Sequence, residues 1–236
     1  MGKVSKICRS NVIEKGVKMK ALVILSGGLD STTALYWAIK EYDEVETLTF
    51  NYGSKHNDIE NEYAKKTCEK LGIKNTVIKI GFINDYFKSD LLKSGGEVPE
   101  GDYSQENIKN TVVPFRNGIM LSIGAGFAES NDCDVIILGN HSGDHAIYPD
   151  CRPEFIENIE KAIYFGTDKH IKVVSPFCLK SKGDIVKIGN ELGVDFSLTY
   201  SCYKGKEKHC GKCGTCRERK KSFELVGVKD PTEYED

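Results

Sequence analysis

The chain has 236 residues, which is enough for one domain with a substantial hydrophobic core. A balance of 33 basic and 35 acidic side chains gives a formal net charge of −2, so there is no global basic field to attract nucleic acid. No apolar run is long enough to span a bilayer, and the first residues lack the apolar core of a secretory signal. These properties predict a cytoplasmic protein without a membrane partner or direct nucleic-acid contact.

The nine cysteines do not form an even set, and no export signal accompanies them. Both facts argue against a disulfide framework. Residues 1–18 are predicted to be an N-terminal extension, with Met19 as an alternative start. Residues 19–197 form the predicted α/β domain, and residues 198–236 are predicted to be a zinc-binding segment and a C-terminal helix that pack on the same domain.

Short β-rich runs alternate with helical stretches along the chain. The first run predicts a strand over 20–25, followed by a helix over 31–40. Further strands are predicted over 45–53, 75–81, 134–140 and 171–176, and further helices over 58–72, 117–130, 153–166, 182–193 and 216–227. Residues 84–113 are rich in glycine and charge, which predicts a lid or a disordered loop with a short helix near 86–92.

Strands that alternate with helices predict a doubly wound, Rossmann-like α/β fold with a parallel sheet covered on both faces. Such sheets bind ligands beyond the carboxyl ends of their strands. Three polar motifs follow strands there: "SGGLDS" after the first, "NYGSKH" after the second and "GNHSGDHAIYPDCRPEF" after the fourth. We therefore expect the functional site at this edge of the sheet.

The loop after the first strand has the form of a phosphate-binding turn. Its two glycines let the backbone approach an anion, and the helix that follows presents free N–H groups. It lacks the Gly-Lys-Ser/Thr ending of the usual ATP loop, so no lysine of the loop reaches a γ-phosphate. Asp30 could position a metal ion or shape the loop. The predicted nucleotide-binding residues are Leu25, Ser26, Gly27, Gly28, Leu29, Asp30, Ser31 and Thr32.

Four cysteines crowd together near the C-terminus with the spacing C-x7-C-x2-C-x2-C. They are Cys202, Cys210, Cys213 and Cys216. Four thiolates suit a closed tetrahedral Zn²⁺ site, which leaves no open position for catalysis. The spacing therefore predicts one structural zinc ion, with an iron–sulfur cluster or a redox dithiol as the alternatives.

The segment "YPDCRPEF" is unusually dense in polar groups for a loop. Asp150 and Arg152 could bind a polar ring edge and a carboxylate, or they could pair with each other at the surface. Cys151 could be a nucleophile, but a small filler at a helix entry is the more common role. Asp144 is a candidate contact for ATP-bound Mg²⁺.

Two further motifs carry cations near the same edge. Arg116 and Asn117 stand at a helix start, where they could bind a ligand or act as a solvated arginine beside an N-cap. Lys55 and His56 follow the second strand, where a surface pair is the alternative to a site role.

"SGGLDS" resembles the pyrophosphate loop of the PP-loop ATP pyrophosphatases, which have an adenine nucleotide alpha hydrolase-like fold. "NYGSKH", "VPFRNGIMLS", "GNHSGDHAIYPDCRPEF" and "SCYKGKEKHCGKCGTC" narrow the resemblance to the QueC family of 7-cyano-7-deazaguanine synthases. The resemblance extends from about Lys20 to the last helix. Tyr200 stands where that family often has tryptophan, and residues 1–18 fall outside the resemblance.

The resemblance implies an ATP-dependent ligase that acts on 7-carboxy-7-deazaguanine and ammonia, with Mg²⁺ on the phosphates. It implies that the loop holds the pyrophosphate part of ATP and that Lys55 and Arg116 offset negative charge. Asp150 and Arg152 would orient the deazaguanine, with Asn117, Asp144 and Tyr148 as further substrate-binding residues. The family also suggests a homodimer.

Three other functions fit parts of the sequence. A QueC-like enzyme could transfer the activated deazaguanine to a protein amine. A tRNA-thiolating enzyme would need a persulfide cysteine and a basic surface. A zinc-ribbon module that binds nucleic acid would use the basic run Arg217, Arg219, Lys220 and Lys221. Such a run is more often a solvated helix face. A zinc-ribbon function would also leave "SGGLDS" unexplained.

Overall fold

The computed structural model describes residues 18–101, 109–146 and 148–235. The predicted N-terminal extension lies almost entirely outside these residues. The strands are Lys20–Ile24 (β1), Glu44–Asn51 (β2), Asn75–Lys79 (β3), Val135–Ile137 (β4) and Lys172–Val174 (β5). The helices are Leu29–Glu41 (α1), Asn57–Leu71 (α2), Phe82–Tyr86 (α3), Arg116–Ser130 (α4), Pro153–Gly166 (α5), Lys182–Glu191 (α6) and Gly214–Val226 (α7).

The five strands form one parallel sheet in the order β3-β2-β1-β4-β5. Alternate residues of β1 point to opposite faces, so Leu22 packs into one hydrophobic core and Val23 into the other. Helices α4 and α5 cover the first core, and α1, α6 and α7 cover the second. The predicted doubly wound fold is therefore confirmed.

The strand order places a topological switch between β1 and β4. The chain proceeds from β1 outwards to β3 and then returns to the other side of β1. Loops that leave neighbouring strands in opposite directions open a crevice between them at the carboxyl edge. The loops after β1 and β4 are those that carry "SGGLDS" and the "YPDCRPEF" segment.

Residues 87–101 form an irregular segment, as the composition predicts, but part of it is anchored in the core. The short helix is Phe82–Tyr86, and the stretch predicted to be helical near 86–92 is irregular beyond Tyr86. Leu91 and Leu92 are fully buried, and residue 92 forms a β-bridge with Ser54. Apolar side chains anchor the middle of this segment in the core, whereas Lys93, Ser94, Gly96 and Glu97 beyond them are exposed, so the segment is an irregular loop that is held at Leu91 and Leu92. Residues 102–108 lie outside the described residues.

The C-terminal segment is joined to the domain through a buried arginine. Arg219 on α7 has no solvent exposure, and its Nε donates to Asp230 at 3.1 Å. Its remaining N–H groups bond Thr199, Ser201 and the carbonyl of Phe196. The expected solvated face is therefore wrong for this member of the basic run, because the guanidinium supplies enough donors to satisfy a polar cluster inside the core.

Within the described residues, no helix combines the length and the apolar composition that a membrane span needs.

Replacing Arg219 with methionine should lower the free energy of unfolding by about 3 kcal/mol or more. The substitution leaves the carboxylate of Asp230 without its cation and several buried polar groups without a donor. Chemical denaturation measures the loss. The matched control is Lys187→Met on the exposed side of α6, which should change stability by less than about 0.5 kcal/mol. Equal effects of the two substitutions would contradict the structural role of Arg219.

Candidate active site

The phosphate loop follows β1 and is packed from behind. Gly27 has φ of +87°, and a Cβ at this position would lie 2.2 Å from the backbone oxygen of Glu60 on α2. Its own carbonyl accepts the Tyr200 N–H at 2.9 Å. The glycine is required because its backbone adopts a left-handed conformation and touches another backbone on the side where a Cβ would project.

Serine hydroxyl groups connect the two ends of the phosphate loop. Ser26 Oγ lies 2.9 Å from Ser31 Oγ and accepts the Gly28 N–H at 3.2 Å. Thr32 Oγ1 is buried without a hydrogen-bond partner. Of the predicted nucleotide-binding residues, Leu25, Ser26, Gly28, Leu29, Asp30 and Ser31 line one large pocket, whereas Gly27 and Thr32 lie behind the lining.

A lysine from outside the loop reaches this pocket. Lys182 is the first residue of α6, and its Nζ forms a close ion pair with Asp30 Oδ2. Burial lowers the pKa of Lys182, but the charges of Asp30 and Glu218 outweigh burial and raise it to about 12. The lysine is therefore a permanent cation beside the phosphate loop, although the loop itself has none.

The sequence carries a signal that could have located Lys182. A capping box formed by Ser181 and Asp184 starts α6 directly after the β5 segment. A helix that begins at the carboxyl edge of the sheet presents its first residue to the site. Periodicity predicts the helix over 182–193 but indicates no role for its first side chain.

The loop after β4 adds a polar cluster on the opposite side of Asp30. His141 and Asp144 line the pocket, and Glu218 from α7 joins them. One carboxylate oxygen of Asp30, Oδ1, is buried without a hydrogen-bond partner. An orphaned carboxylate oxygen beside Asp144 fits the donor set that Mg²⁺ prefers.

Aromatic side chains and one arginine form the wall nearest β2. Arg116 Nη1 donates to the Tyr52 hydroxyl at 3.2 Å, and its guanidinium lies 5.6 Å from the centre of that ring. The hydroxyls of Tyr148 and Tyr203 lie 3.4 Å apart. Burial opposes the charge of Arg116, but the surrounding tyrosines and Asp150 raise its pKa further above the usual arginine value. Arg116 and Tyr148 thus lie in the pocket as predicted.

Two buried titratable groups close this wall. Burial lowers the pKa of His56 to about 3, with Arg116 adding to the effect. Burial raises the pKa of Glu60 to about 8, against the opposing charge of Arg116. The 3.7 Å contact between the two side chains therefore joins a neutral imidazole and a protonated carboxyl at neutral pH. Glu60 looks like a solvated helix residue in the sequence, so its position in the pocket was not predicted.

The structure does not bring three of the predicted residues into the pocket. Asp150 is buried, and its Oδ2 accepts the Asn117 N–H at 2.8 Å, so it caps the first turn of α4. Arg152 is exposed and donates to the carbonyl of His145 at 3.0 Å. The two do not pair with each other, and neither lines the pocket. Asn117 does line it and donates to Cys151 Sγ at 3.1 Å.

Lys55 is the third residue outside the pocket. Its Nζ donates to the backbone carbonyls of Asp90 at 2.7 Å, Leu92 at 2.5 Å and Gly95 at 3.4 Å. Burial lowers its pKa, and Asp90 opposes that effect. The ammonium group bonds three carbonyls of one bend of the chain, so the lysine holds the segment after α3 and is turned away from the pocket.

The four C-terminal cysteines come together as predicted. Their sulfur atoms all lie within 4.8 Å of one another, and all four residues are buried. The sulfurs of Cys210 and Cys216 are 3.9 Å apart. The backbone N–H groups of Cys210 and Cys213 approach Sγ atoms of the cluster at 3.4 and 3.3 Å. A group of four cysteines with amide donors to sulfur can hold one metal ion as thiolates.

The cysteine cluster is continuous with the pocket. Ser201 and Tyr203, on either side of Cys202, line the pocket, and so do Thr215 and Glu218, on either side of Cys216. The backbone that fixes the sulfurs thus fixes one wall of the pocket.

The chain matches known proteins over most of its length. Residues 20–227 match the family described as queuosine biosynthesis protein QueC. The chain is 50% identical over 215 residues to a 7-cyano-7-deazaguanine synthase from Porphyromonas gingivalis, a match that covers 91% of this chain and 97% of that protein. It is 48% identical over 214 residues to a synthase of the same name from Desulfotalea psychrophila, with 91% and 98% covered. A solved NMN synthetase from Francisella tularensis superposes with a TM-score of 0.48 at 14% identity, covering 91% of this chain and 79% of that one.

Replacing Gly27 with alanine should cost about 3 kcal/mol of stability and abolish ATP binding in the folded fraction, because the new Cβ meets a backbone oxygen. The control is Gly72→Ala, which has φ of +67° and open space around the site. That change should cost only about 1 kcal/mol. Thermal unfolding and nucleotide titration measure both. Similar losses of stability in the two variants would show that the close contact between Gly27 and Glu60 does not determine stability.

Replacing Cys210 with serine should remove the bound metal and disorder the wall formed by Tyr203 and Thr215. Elemental analysis should find about one metal ion per chain in the unaltered protein and none in the variant. The fluorescence of a bound nucleotide analogue should also be lower in the variant, because the pocket wall is disordered. Cys68→Ser, a buried cysteine on α2 outside the cluster, is the control and should retain the metal. Retention of the metal in the Cys210 variant would refute the four-thiolate site.

Proposed function

The chain belongs to the QueC family, and we propose that its pocket uses ATP to convert 7-carboxy-7-deazaguanine and ammonia to 7-cyano-7-deazaguanine. The family activity is that of an ATP-dependent ligase. The observation that carries the proposal is that the phosphate loop and two residues of the "YPDC" segment, Tyr148 and Cys151, line one pocket. Their proximity would put a nucleotide phosphate next to an aromatic wall with a single arginine.

The first step activates a poor electrophile. A carboxylate oxygen of the substrate attacks the α-phosphorus of ATP, and the bond to the bridging oxygen breaks with release of pyrophosphate. The N–H groups at the start of α1 and the cation of Lys182 would hold that pyrophosphate. The phosphate loop itself contains no lysine, which agrees with this step. The loop would hold a leaving group, and no γ-phosphoryl group would be transferred.

The second step forms the carbon–nitrogen bond. Ammonia attacks the acyl carbon, AMP leaves with the electron pair of the C–O bond, and one proton is lost to give an amide. A second ATP would activate the amide oxygen in the same way. Loss of AMP and of the two remaining N–H protons then gives the nitrile. Arg116, which donates to the Tyr52 hydroxyl and lines the pocket with Tyr148, is the cation that would face the substrate carboxylate.

Asp30 and Asp144 are the residues that would hold Mg²⁺, which offsets charge on the phosphates when bound. We assign the four-cysteine site to Zn²⁺. Tetrahedral zinc with bonds of about 2.3 Å places its sulfurs about 3.8 Å apart, and the separation of Cys210 and Cys216 is close to this value. An iron–sulfur cluster interposes several irons and would hold the sulfurs farther apart.

We also propose what this enzyme binds and where it acts. We propose that the substrates are small molecules, that ammonia is supplied free or by a partner, and that no nucleic acid binds directly, in keeping with the net charge of −2. A homodimer and a cytoplasmic location belong to the same proposal.

The test is a product assay with ATP, Mg²⁺, ammonium and 7-carboxy-7-deazaguanine, followed by mass spectrometry. The expected products are the nitrile, AMP and pyrophosphate. Lys182→Met should lower kcat by at least tenfold because a buried cation next to the leaving group is lost. Lys187→Met on the outer side of α6 should leave the rate unchanged. ADP and phosphate in place of AMP and pyrophosphate, or no nitrile from metal-loaded protein, would refute the proposal.

A further inference from the structure

His141 stands at the carboxyl end of β4, and none of the steps above uses it. Its side chain is only 3% exposed, yet it lines the pocket next to Asp30. The short turn at Ser142–Ala146 fixes its backbone, because the carboxylate of Asp144 accepts the His141 N–H at 3.3 Å and the His141 carbonyl accepts the Asp144 N–H at 3.1 Å. The imidazole is therefore rigidly placed at the switch between β1 and β4.

The structure also defines which ring nitrogen carries the proton. Nδ1 of His141 lies 3.0 Å from the backbone nitrogen of Gly143, which can only donate. A nitrogen that accepts a hydrogen bond presents its lone pair and has no proton of its own. The ring is thus neutral, with its single proton on Nε2.

That proton points into a gap between two carboxylates. Nε2 lies 3.9 Å from Asp30 Oδ2 and 3.7 Å from Asp144 Oδ1, and both distances exceed a hydrogen bond. Lys182 and Glu218 are the other charged groups around this gap. Among the described residues, none accepts the Nε2 proton within hydrogen-bond distance. The donor is left for a group that enters the pocket.

We propose that His141 is a neutral hydrogen-bond donor to the pyrophosphate that departs when ATP is cleaved. The inference rests on the proposed function, in which ATP breaks between its α- and β-phosphates. The substrate oxygen forms a bond to the α-phosphorus, the bond to the bridging oxygen breaks, and its electron pair stays on the pyrophosphate. His141 retains its proton throughout and stabilises the charge that develops there.

A neutral donor suits this position better than a second cation or a metal ligand. Lys182 already supplies a positive charge that Asp30 offsets. A donor without charge can contact a phosphate oxygen and leave that balance intact. In the assigned tautomer Nε2 presents a proton to the gap and no lone pair, so we expect His141 not to be a Mg²⁺ ligand, although histidine and aspartate occur together in this loop.

The kinetic experiment compares two substitutions. His141→Gln places an amide N–H near the position of Nε2, whereas His141→Leu fills a similar space without a donor. The leucine variant should lower kcat for AMP formation by about 100-fold with a smaller change in the KM for ATP. The glutamine variant should regain at least about tenfold of that loss. The Mg²⁺ concentration that gives half the maximal rate should be the same in both variants and in the unaltered protein.

A spectroscopic experiment tests the tautomer without any turnover. The chain has five histidines, and the His141→Gln variant identifies the signal of His141 in nitrogen-15 spectra of the imidazoles. We expect one proton on Nε2, none on Nδ1, and a shift of the Nε2 signal when inorganic pyrophosphate is added.

Three results would overturn the inference: a proton on Nδ1, a leucine variant within twofold of the unaltered rate, or a raised Mg²⁺ requirement that indicates a metal ligand. Absence of AMP with the unaltered protein would instead refute the proposed function and leave the tautomer result standing. If the leucine variant does not fold, the nitrogen-15 spectra and the glutamine variant still test the role of His141.

Discussion

The close contact at Gly27 is the constraint on which the rest of the site depends. One side of this residue touches the backbone of Glu60, and its carbonyl accepts the N–H of Tyr200. A single residue therefore joins the phosphate loop to α2 and to the C-terminal segment. A side chain at this position would push all three apart, because proteins pack too densely to absorb a methyl group against a backbone oxygen.

Around this contact the pocket is divided by charge. Near β4, a buried lysine, three carboxylates and a neutral imidazole surround the place where phosphates are proposed to bind. Near β2, tyrosines and a neutral pair formed by His56 and Glu60 surround one arginine. Low exposure strengthens these interactions, so Lys182 is paired with Asp30 and Glu60 is neutralised by protonation, whereas Arg116 has the Tyr52 hydroxyl as its hydrogen-bond acceptor. The division suits a reaction in which a highly charged nucleotide meets a flat, weakly charged ring.

The sequence predicted the sheet, the order of elements and the cluster of four cysteines that could hold a metal ion, because periodicity and spacing are local signals. It also placed Arg116 and Tyr148 at the correct edge. The sequence was wrong about Arg219, which is buried and bonds polar groups inside the core. The structure also turns Lys55 and Arg152 away from the pocket. Each of these two side chains donates to backbone carbonyls that only the folded chain brings within reach. Lys182 and Glu60 were missed for the opposite reason. Each is an ordinary helix residue in the sequence, and only the packing of the helices shows that its first turn faces the crevice.

The alternation of cysteines with pocket residues limits how this chain can change. Ser201 and Tyr203 flank Cys202, and Thr215 and Glu218 lie one residue before and two residues after Cys216. A residue inserted in either stretch would therefore shift both the sulfur cluster and the pocket wall. Redesign of substrate preference on this side must proceed by replacing side chains at fixed chain length. The loop after β4 carries pocket residues such as His141 and Asp144 but no cysteine of the cluster, so an insertion there would shift one pocket wall and leave the four sulfurs in place.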